Sequence, residues 1–237
     1  MRPVGQAGPV GQDTPGGGSG DATFDAVAAD FYAGREAQRP VHPQVTFEDV
    51  PAPRKLAPYA AAIAATVQVD DQGELADIGW GRLVLLYDPD GQSGWAGQFR
   101  VIAYIRAEVE PEIAADPLLG SVGWSWLTEA LDVHAAGYAA PSGTVTRVIT
   151  EGFGGKQDEP TATGLELRAS WSPASPGPAS PALASPGPAS PALASPGPAS
   201  PALAGHVAAW CDALCTAAGL PPAVAGVSVM PRRGGRP

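Results

Sequence analysis

Charged side chains alternate along two of the strands that the sequence predicts, and they are the first candidates for chemistry. The five of them that we assign to one sheet face are Arg100, Arg106, Glu108, Glu166 and Arg168. A guanidinium group makes paired hydrogen bonds with carboxylates and phosphates, so converging arginines favour an anionic ligand or an acidic partner peptide. Arg82 and Arg147 lie on neighbouring predicted strands and would extend this face. The alternative is a solvated face with cross-strand ion pairs, each worth about 0.2–1 kcal/mol.

A second candidate is the Gly-Trp-Ser-Trp run at residues 123–126. Trp124 and Trp126 are two residues apart, so they cannot share one face of a helix. We expect one indole to pack inward and the other to cover an edge. Core packing is one interpretation, and an aromatic platform for a protein partner is the other.

The two cysteines, Cys211 and Cys215, lie four residues apart on a predicted helix that also carries His206. The spacing is not C-x-x-C, and the chain has only two further histidines, His42 and His134. We therefore predict two buried helix thiols, and neither a metal site nor a cofactor.

No stretch of the sequence matches a catalytic or phosphate-binding motif. Pro141–Thr144 lacks the G-x-S-x-G elbow and is predicted to be a turn entering a strand. The glycines of 152–155 match neither a P-loop nor a dinucleotide fingerprint. The acidic residues of 108–116 lack the glycine-bearing loop of an EF-hand, which favours a solvated strand end.

Hydrophobic periodicity predicts the elements that would position these residues. A helix is expected over about 23–38 and a helical region over about 111–137, broken near Pro117 and Gly120; a last helix begins near Ala204. An extended lead at Val45–Val50 and five strand-like runs complete the order, and those runs are about 61–70, 80–87, 98–110, 143–151 and 161–171. This order predicts an α+β fold with one antiparallel sheet of about five or six strands and helices on one face.

Residues 174–203 are three identical copies of ASPGPASPAL, with nine prolines and neither charge nor aromatic group. Such a segment cannot bury a core, so 172–204 is predicted to be a disordered insertion. It interrupts a single domain at 21–230, between a disordered tail at 1–20 and a basic disordered tail at 231–237.

The formal net charge of −10 argues against nucleic-acid and anionic-membrane binding, because such binders neutralise phosphates. The first 21 residues have no apolar signal region, and no run of about 18 apolar residues occurs. Together with two thiols, these features favour the cytoplasm.

Long stretches of the chain carry a resemblance to a known family. They are PAPRKLAPYAAAIAATV, GRLVLLYDPDGQSGWAGQFRVIAYIRAEVEPEIAADPLLGSVGWSWLTEAL, YAAPSGTVTRVITEGFGG and HVAAWCDALCTAAGLPP. The chain resembles the actinobacterial family of domain of unknown function 3000 over roughly residues 25–230, apart from the repeat. The resemblance implies a cytoplasmic actinobacterial protein and supplies no activity or catalytic residue. The element order is also similar to the αβββαββα arrangement of type III secretion chaperone-like domains, an analogy of fold alone.

Two functional hypotheses follow. The first is a non-enzymatic cytoplasmic binding or accessory protein, chaperone-like in character, that holds a protein partner on its sheet face. The second is an enzyme or small-molecule binder with an anionic ligand on Arg100, Arg106 and Arg168. Convergence of these arginines in a concave pocket favours the second hypothesis. A third possibility is a homo-oligomer, an obligate homodimer through an exposed edge strand.

Overall fold

The structure, a computed structural model, describes residues 18–134, 137–174 and 201–221. Its four helices are α1 (Gly18–Gln38), α2 (Pro111–Ala115), α3 (Leu119–Val133) and α4 (Ala204–Ala217). Its six strands are β1 (Val45–Asp49), β2 (Tyr59–Asp71), β3 (Glu74–Tyr87), β4 (Phe99–Glu108), β5 (Tyr138–Thr150) and β6 (Ala162–Pro173). A 3₁₀ turn at Gly154–Lys156 lies between the last two strands.

All six strands pair antiparallel in one sheet, in the order β1-β2-β3-β4-β6-β5. The predicted α+β class is confirmed. The extended lead is itself a strand, β1, which pairs with β2. The chain then makes a tight turn at Gln72 and Gly73, whose positive φ angles close the β2–β3 hairpin. The sequence pattern missed this hairpin because the polar and glycine residues of 70–74 interrupt the apolar alternation.

The helices cover one face of the sheet, which we call the inner face. Along β4, Val101, Ala103 and Ile105 are buried on this face, and each is exposed by 1% or less of its surface. α4 crosses β3 and β4, where Trp210 lies against Gly81; a Cβ on Gly81 would stand 2.8 Å from the indole. The absence of a side chain at Gly81 therefore lets the fully buried indole approach the sheet backbone.

The opposite, outer face carries a smaller apolar cluster at one end of the sheet. Its buried members are Ala62, Val84 and Leu86. The proline-rich segment 50–57 and Trp95, from the β3–β4 connection, pack over them. Arg82, one of the predicted sheet-face cations, donates to the carbonyl of Pro51 and so holds this segment to the sheet.

The prediction for residues 141–144 was wrong in one respect. β5 already begins at Tyr138, so Pro141–Thr144 lie inside the strand and not in a turn before it. The pairing with β6 shifts register between Ala139 and Ser142, and Ala140 has a φ of 49°. This β-bulge interrupts the period-2 pattern on which the strand boundary was based.

Several predictions fall wholly or largely outside the described residues. They are the disordered tail at 1–20, whose last residues lie in α1, most of the insertion at 172–204, and the basic tail at 231–237. The predicted bounds 172–204 were too wide at both ends, because Ser172 and Pro173 belong to β6, Leu203 is fully buried in the core, and α4 begins at Ala204.

α1 and α4 touch at Gly34, and this contact gives a test of the packing. A Cβ on Gly34 would stand 2.7 Å from the backbone Cα of Ala204. In α3, by contrast, a Cβ on Gly120 would meet nothing within 4 Å. Alanine normally favours a helix over glycine by about 0.8–1 kcal/mol.

We therefore expect glycine-to-alanine substitutions at these two positions to affect the free energy of unfolding differently, as measured by denaturant unfolding. Gly34→Ala should lower the free energy of unfolding by about 1–3 kcal/mol, because the helices must separate. Gly120→Ala should leave it unchanged or raise it by up to about 1 kcal/mol. A stabilising Gly34→Ala would contradict the close approach of α1 and α4.

Candidate functional site

Three segments that are far apart in the chain bring chemically reactive side chains together on the inner side of the sheet. The residues are His42, His134, Cys211, Asp212 and Cys215, and we call them the Cys–His–Asp cluster. His42 follows α1, His134 ends α3, and the other three lie on α4. Because α4 is the buried helix between α1 and α3, it presents its polar side chains to the ends of both neighbours.

The chain after α1 fixes His42 by its backbone. The amide of His42 donates to the carbonyl of Gln38 at 2.9 Å, and the carbonyl of His42 accepts from Val45 at 2.9 Å. These bonds join the end of α1 to the first residue of β1. The imidazole of His42 is only 2% exposed.

Asp212 bridges the two histidines with its two carboxylate oxygens. Oδ1 lies 2.8 Å from Nε2 of His42, and Oδ2 lies 2.6 Å from Nε2 of His134. Burial alone would raise the pKa of Asp212, but the hydrogen bonds with His42 and His134 outweigh it and lower the pKa. Burial would likewise lower the pKa of His42, yet its bonds with Asp212 and Cys215 raise that pKa to about 9.

The second nitrogen of His42 faces the cysteines. Nδ1 lies 3.5 Å from Sγ of Cys215, and both thiols are free and buried. Contact with Cys211 and then with His42 lowers the pKa of Cys215, against the effect of burial. Contact with Cys215, together with burial, raises the pKa of Cys211. The cluster therefore favours one thiolate beside one imidazolium.

These groups support two kinds of chemistry. A cysteine, a histidine and an aspartate in contact are the parts of a nucleophilic triad. A nucleophile has to touch its substrate, however, and Cys215 and His42 are each 2% exposed. Two sulfurs and an imidazole nitrogen are also a ligand set for a thiophilic metal ion, and the three atoms lie within 4.8 Å of one another. A small ion suits a buried site better than a substrate does.

His206, the histidine that the sequence places next to the cysteines, lies elsewhere. Its Nδ1 accepts a hydrogen bond from Nε1 of Trp171 at 3.0 Å, and the imidazole is 1% exposed. Burial lowers its pKa to about 4. His206 is therefore a neutral core residue that joins α4 to the end of β6.

The predicted sheet-face residues are on one face, as expected, but the arginines do not converge. Arg100 and Arg106 are six residues apart on β4, which is about 20 Å along a strand. Arg168 pairs with Glu166 at 3.0 Å and lies over the ring of Tyr104 at 5.5 Å. Arg106, Glu108 and Arg168 are exposed, and Glu166 is half-buried.

Arg100 differs from the other predicted cations because it is buried. It donates to the carbonyl oxygens of Ala140 and Ser170 and to the hydroxyls of Ser142, Ser170 and Ser172. These bonds hold the β5 bulge against β4 and β6. Arg100 also lines a cavity of about 370 Å³ under the β3–β4 connection.

The two tryptophans of α3 both pack against the main core and are half-buried. Trp124 lies over β5, where a Cβ on Gly143 would stand 2.6 Å from its ring. We expected one indole to pack inward and the other to cover an edge, but the two indoles have similar environments. The expectation that Arg147 extends the face of Arg100 was wrong: Arg147 is paired with Leu165, which is buried on the inner face, and it donates to the carbonyl of Asp116 at 3.1 Å.

A family profile described as "Protein of unknown function (DUF3000)" matches residues 24–228. The chain belongs to this family. The resemblance of the sequence to the DUF3000 family is thereby confirmed, and the family description assigns no activity to the cluster. No significant match to a curated protein or to a solved structure was found. Among the described residues of this DUF3000 protein, no helix is long and apolar enough to cross a membrane.

The buried neutral His206 predicts a pH dependence of stability. Its folded pKa of about 4 lies below the usual value of about 6.5, so the unfolded chain binds the proton more readily. As far as His206 determines it, the free energy of unfolding has its full value above about pH 6.5. It decreases as the pH falls toward 4, because the unfolded chain then takes up the proton. At about 1.4 kcal/mol per pKa unit, the loss is about 2–3 kcal/mol.

We expect His206→Gln to flatten this acid limb, measured by urea unfolding from pH 7 to 4. Glutamine still offers an oxygen to Trp171 Nε1 but does not titrate. The carboxylates contribute equally in both proteins, so the difference between the two profiles isolates His206. Parallel profiles would mean that His206 is not held neutral in the fold.

Proposed function

We propose that this protein binds a thiophilic divalent metal ion, zinc in the first instance, through His42, Cys211 and Cys215. The observation that carries the proposal is the convergence of these three ligand atoms within 4.8 Å of one another. Cysteine and histidine are the ligand types of protein zinc sites, and thiolates select zinc over harder ions such as magnesium.

The separation of the ligand atoms fits one metal ion. With Zn–S of about 2.3 Å and Zn–N of about 2.0–2.1 Å, a nitrogen and a sulfur ligand of a tetrahedral zinc lie about 3.5–3.6 Å apart. Nδ1 of His42 and Sγ of Cys215 are 3.5 Å apart. The spacing of these two atoms therefore matches that of a nitrogen and a sulfur on one zinc ion.

Asp212 has the role of an outer-shell residue in this proposal. Metal-bound histidines usually donate their other ring N–H to a carboxylate, which fixes the tautomer and the ring orientation. The 2.8 Å contact from Nε2 of His42 to Oδ1 of Asp212 is such a bond. It leaves Nδ1 free to face the cysteines, and His134 anchors the other oxygen of Asp212.

Three protein ligands leave one tetrahedral position for solvent or for a group from another molecule. Sites of this kind differ from closed structural sites, which have four protein ligands. The side chains of Asp212 and His134 are 25% and 28% exposed, so this side of the cluster is in contact with solvent. The buried Cys215 thiolate, which His42 partners, also supports a bound cation, because a buried anion needs a partner of opposite charge.

The test is metal stoichiometry after purification without chelator. We expect about one zinc per chain by mass spectrometry, and a thiolate-to-cobalt charge-transfer band after substitution with Co²⁺. Because the chain has two cysteines, the Cys211→Ser/Cys215→Ser double variant contains no thiol and should lose both signals. Asp212→Asn should weaken zinc affinity by about 10–100-fold while retaining the cobalt spectrum.

His206→Gln is the matched control, since it removes a buried histidine on the same helix but outside the cluster. It should bind zinc as the parent protein does. Equal metal content in the parent and in the folded thiol-free variant would falsify the proposal. If neither binds metal and Asp212→Asn only lowers stability, the cluster is a structural polar network that joins α1, α3 and α4.

A second candidate is the binding of an acidic protein segment on the open part of the outer face, in an accessory or chaperone-like role. What favours it is the patch of Trp80, Tyr104 and Arg168. Trp80 is 40% exposed and lies edge-on to Tyr104 at 5.4 Å, while Arg168 stacks over Tyr104. Tryptophan, tyrosine and arginine are the residues that most often dominate protein interfaces.

This candidate is tested by crosslinking in cells, with the partner identified by mass spectrometry. Trp80→Ala and Arg168→Gln should abolish a crosslink that Arg147→Gln, which lies on β5, leaves intact. A crosslinked partner retained in all three variants would exclude the patch as the binding surface.

A further inference from the structure

The cavity under the β3–β4 connection contains a buried positive charge without an acidic partner. Arg100 is 7% exposed, and every hydrogen-bond acceptor of its guanidinium is a neutral carbonyl or hydroxyl oxygen. None of the ion pairs between described residues involves Arg100. Burial lowers the pKa of Arg100, but a guanidinium stays charged near neutral pH. A buried charge of this kind is stabilised when an anion comes into contact with it.

Two hydroxyls beside Arg100 supply a hydrogen-bond donor for such an anion. Ser142 Oγ and Ser170 Oγ accept from the guanidinium at 3.2 and 2.7 Å. The two oxygens are 3.3 Å apart, so one hydroxyl can donate to the other. A hydroxyl oxygen that accepts from arginine points its own proton away from the guanidinium. When one of the two serines donates to the other, the O–H of the second serine is left for a group in the cavity. Both serines line the cavity together with Arg100.

The rest of the cavity has apolar walls and a polar rim of Gln92 and Ser93. Leu56, Leu86, Ile102 and the indole of Trp95 form its walls. The hydrogen bond from the Ala96 amide to Ser172 Oγ, at 2.9 Å, holds the connection above it to β6. A volume of about 370 Å³ lies at the small end of the range for ligand sites.

Asp88, at the start of the β3–β4 connection, is already engaged. Asp88 accepts from Nε2 of Gln92 at 2.9 Å and from the amide of Asp90 at 3.1 Å, within its own turn. Asp88 is not among the residues that line the cavity, whereas Gln92 is. The single charge facing the cavity is therefore the arginine.

From this arrangement we propose that the cavity binds a small organic monocarboxylate with a flat apolar body. The carboxylate meets Arg100 and the free serine O–H, and the apolar body lies between Trp95 and the aliphatic walls. One cation matches one negative charge, and no second lysine or arginine lines the cavity to hold a phosphate dianion. The site is on the outer face of the sheet, and it is independent of the proposed metal cluster on the inner face.

The test uses benzoate as the probe, its neutral isostere benzamide, and inorganic phosphate. Binding is followed by the indole N–H signal of Trp95 in ¹H–¹⁵N spectra, assigned with Trp95→Phe. We expect benzoate to shift this signal in a saturable way at millimolar concentration. Benzamide should bind at least about tenfold more weakly, a difference of about 1.4 kcal/mol, and phosphate should cause no shift.

Variants distinguish the cavity from the rest of the charged face. Arg100→Lys retains the charge but loses the planar fork, and it should weaken benzoate binding by about tenfold. Ser142→Ala, at an exposed position of β5, keeps the other bonds of Arg100 and should weaken binding several-fold. Arg106→Gln, on the same strand face but exposed and distant, should bind as the parent does.

Ser142→Ala keeps the test decisive if Arg100→Lys does not fold. Equal affinity for benzoate and benzamide would overturn the proposal, because the charge would then play no part. A shift caused by phosphate but not by benzoate would overturn the carboxylate assignment. The absence of any saturable shift in the folded parent protein, or an equal loss in Arg106→Gln and Ser142→Ala, would overturn the site itself.

Discussion

The burial of α4 against the sheet is the constraint on which the rest of this structure depends. Most of its residues are buried, and Trp210 reaches the sheet only because Gly81 has no side chain. A helix enclosed by a sheet and two other helices has little solvent for its polar groups, so they need protein partners. His206 bonds to Trp171, and Asp212 bonds to His42 and His134. The polar cluster is therefore a consequence of where α4 lies.

The same reasoning explains why the fold was predictable and the cluster was not. Local periodicity predicts the helix over about 23–38 and the alternation of charged side chains along β4, and the structure contains both. His42 and Asp212 are 170 positions apart, and no local pattern brings them together. Asp212, flanked by Cys211 and Ala213 on an apolar helix, was the available signal: an acid on a buried helix requires a partner.

For the arginines, the sequence predicted the sheet face correctly but not the environment of each side chain. Alternation correctly assigned Arg100, Arg106 and Arg168 to one face, but alternation gives no information on what covers that face. Segment 50–57 and the β3–β4 connection cover one end of the sheet, which buries Arg100 and leaves Arg106 exposed. Three residues with the same pattern therefore have different environments, and one of the three lines a cavity.

The end of β6 connects the two faces and explains how the chain accommodates its repeat. Trp171 points to the inner face and bonds to His206, while the neighbouring Ser172 points outward to Arg100 and Ala96. On the far side of the repeat, Asp30 of α1 accepts from the amides of Leu203 and Ala204 and so caps α4. The described ends of the segment are therefore fixed to the folded domain, at Ser172 on one side and at Leu203, the buried last residue of the repeat, on the other. The composition predicts that the segment is an unfolded connection. In such a connection, the loop-closure free energy changes by about (3/2)RT times the logarithm of the length ratio. The gain or loss of one ten-residue copy then changes the stability by only a few tenths of a kcal/mol. Such a connection can change in length while the positions of α4, and of every side chain that α4 carries, stay the same.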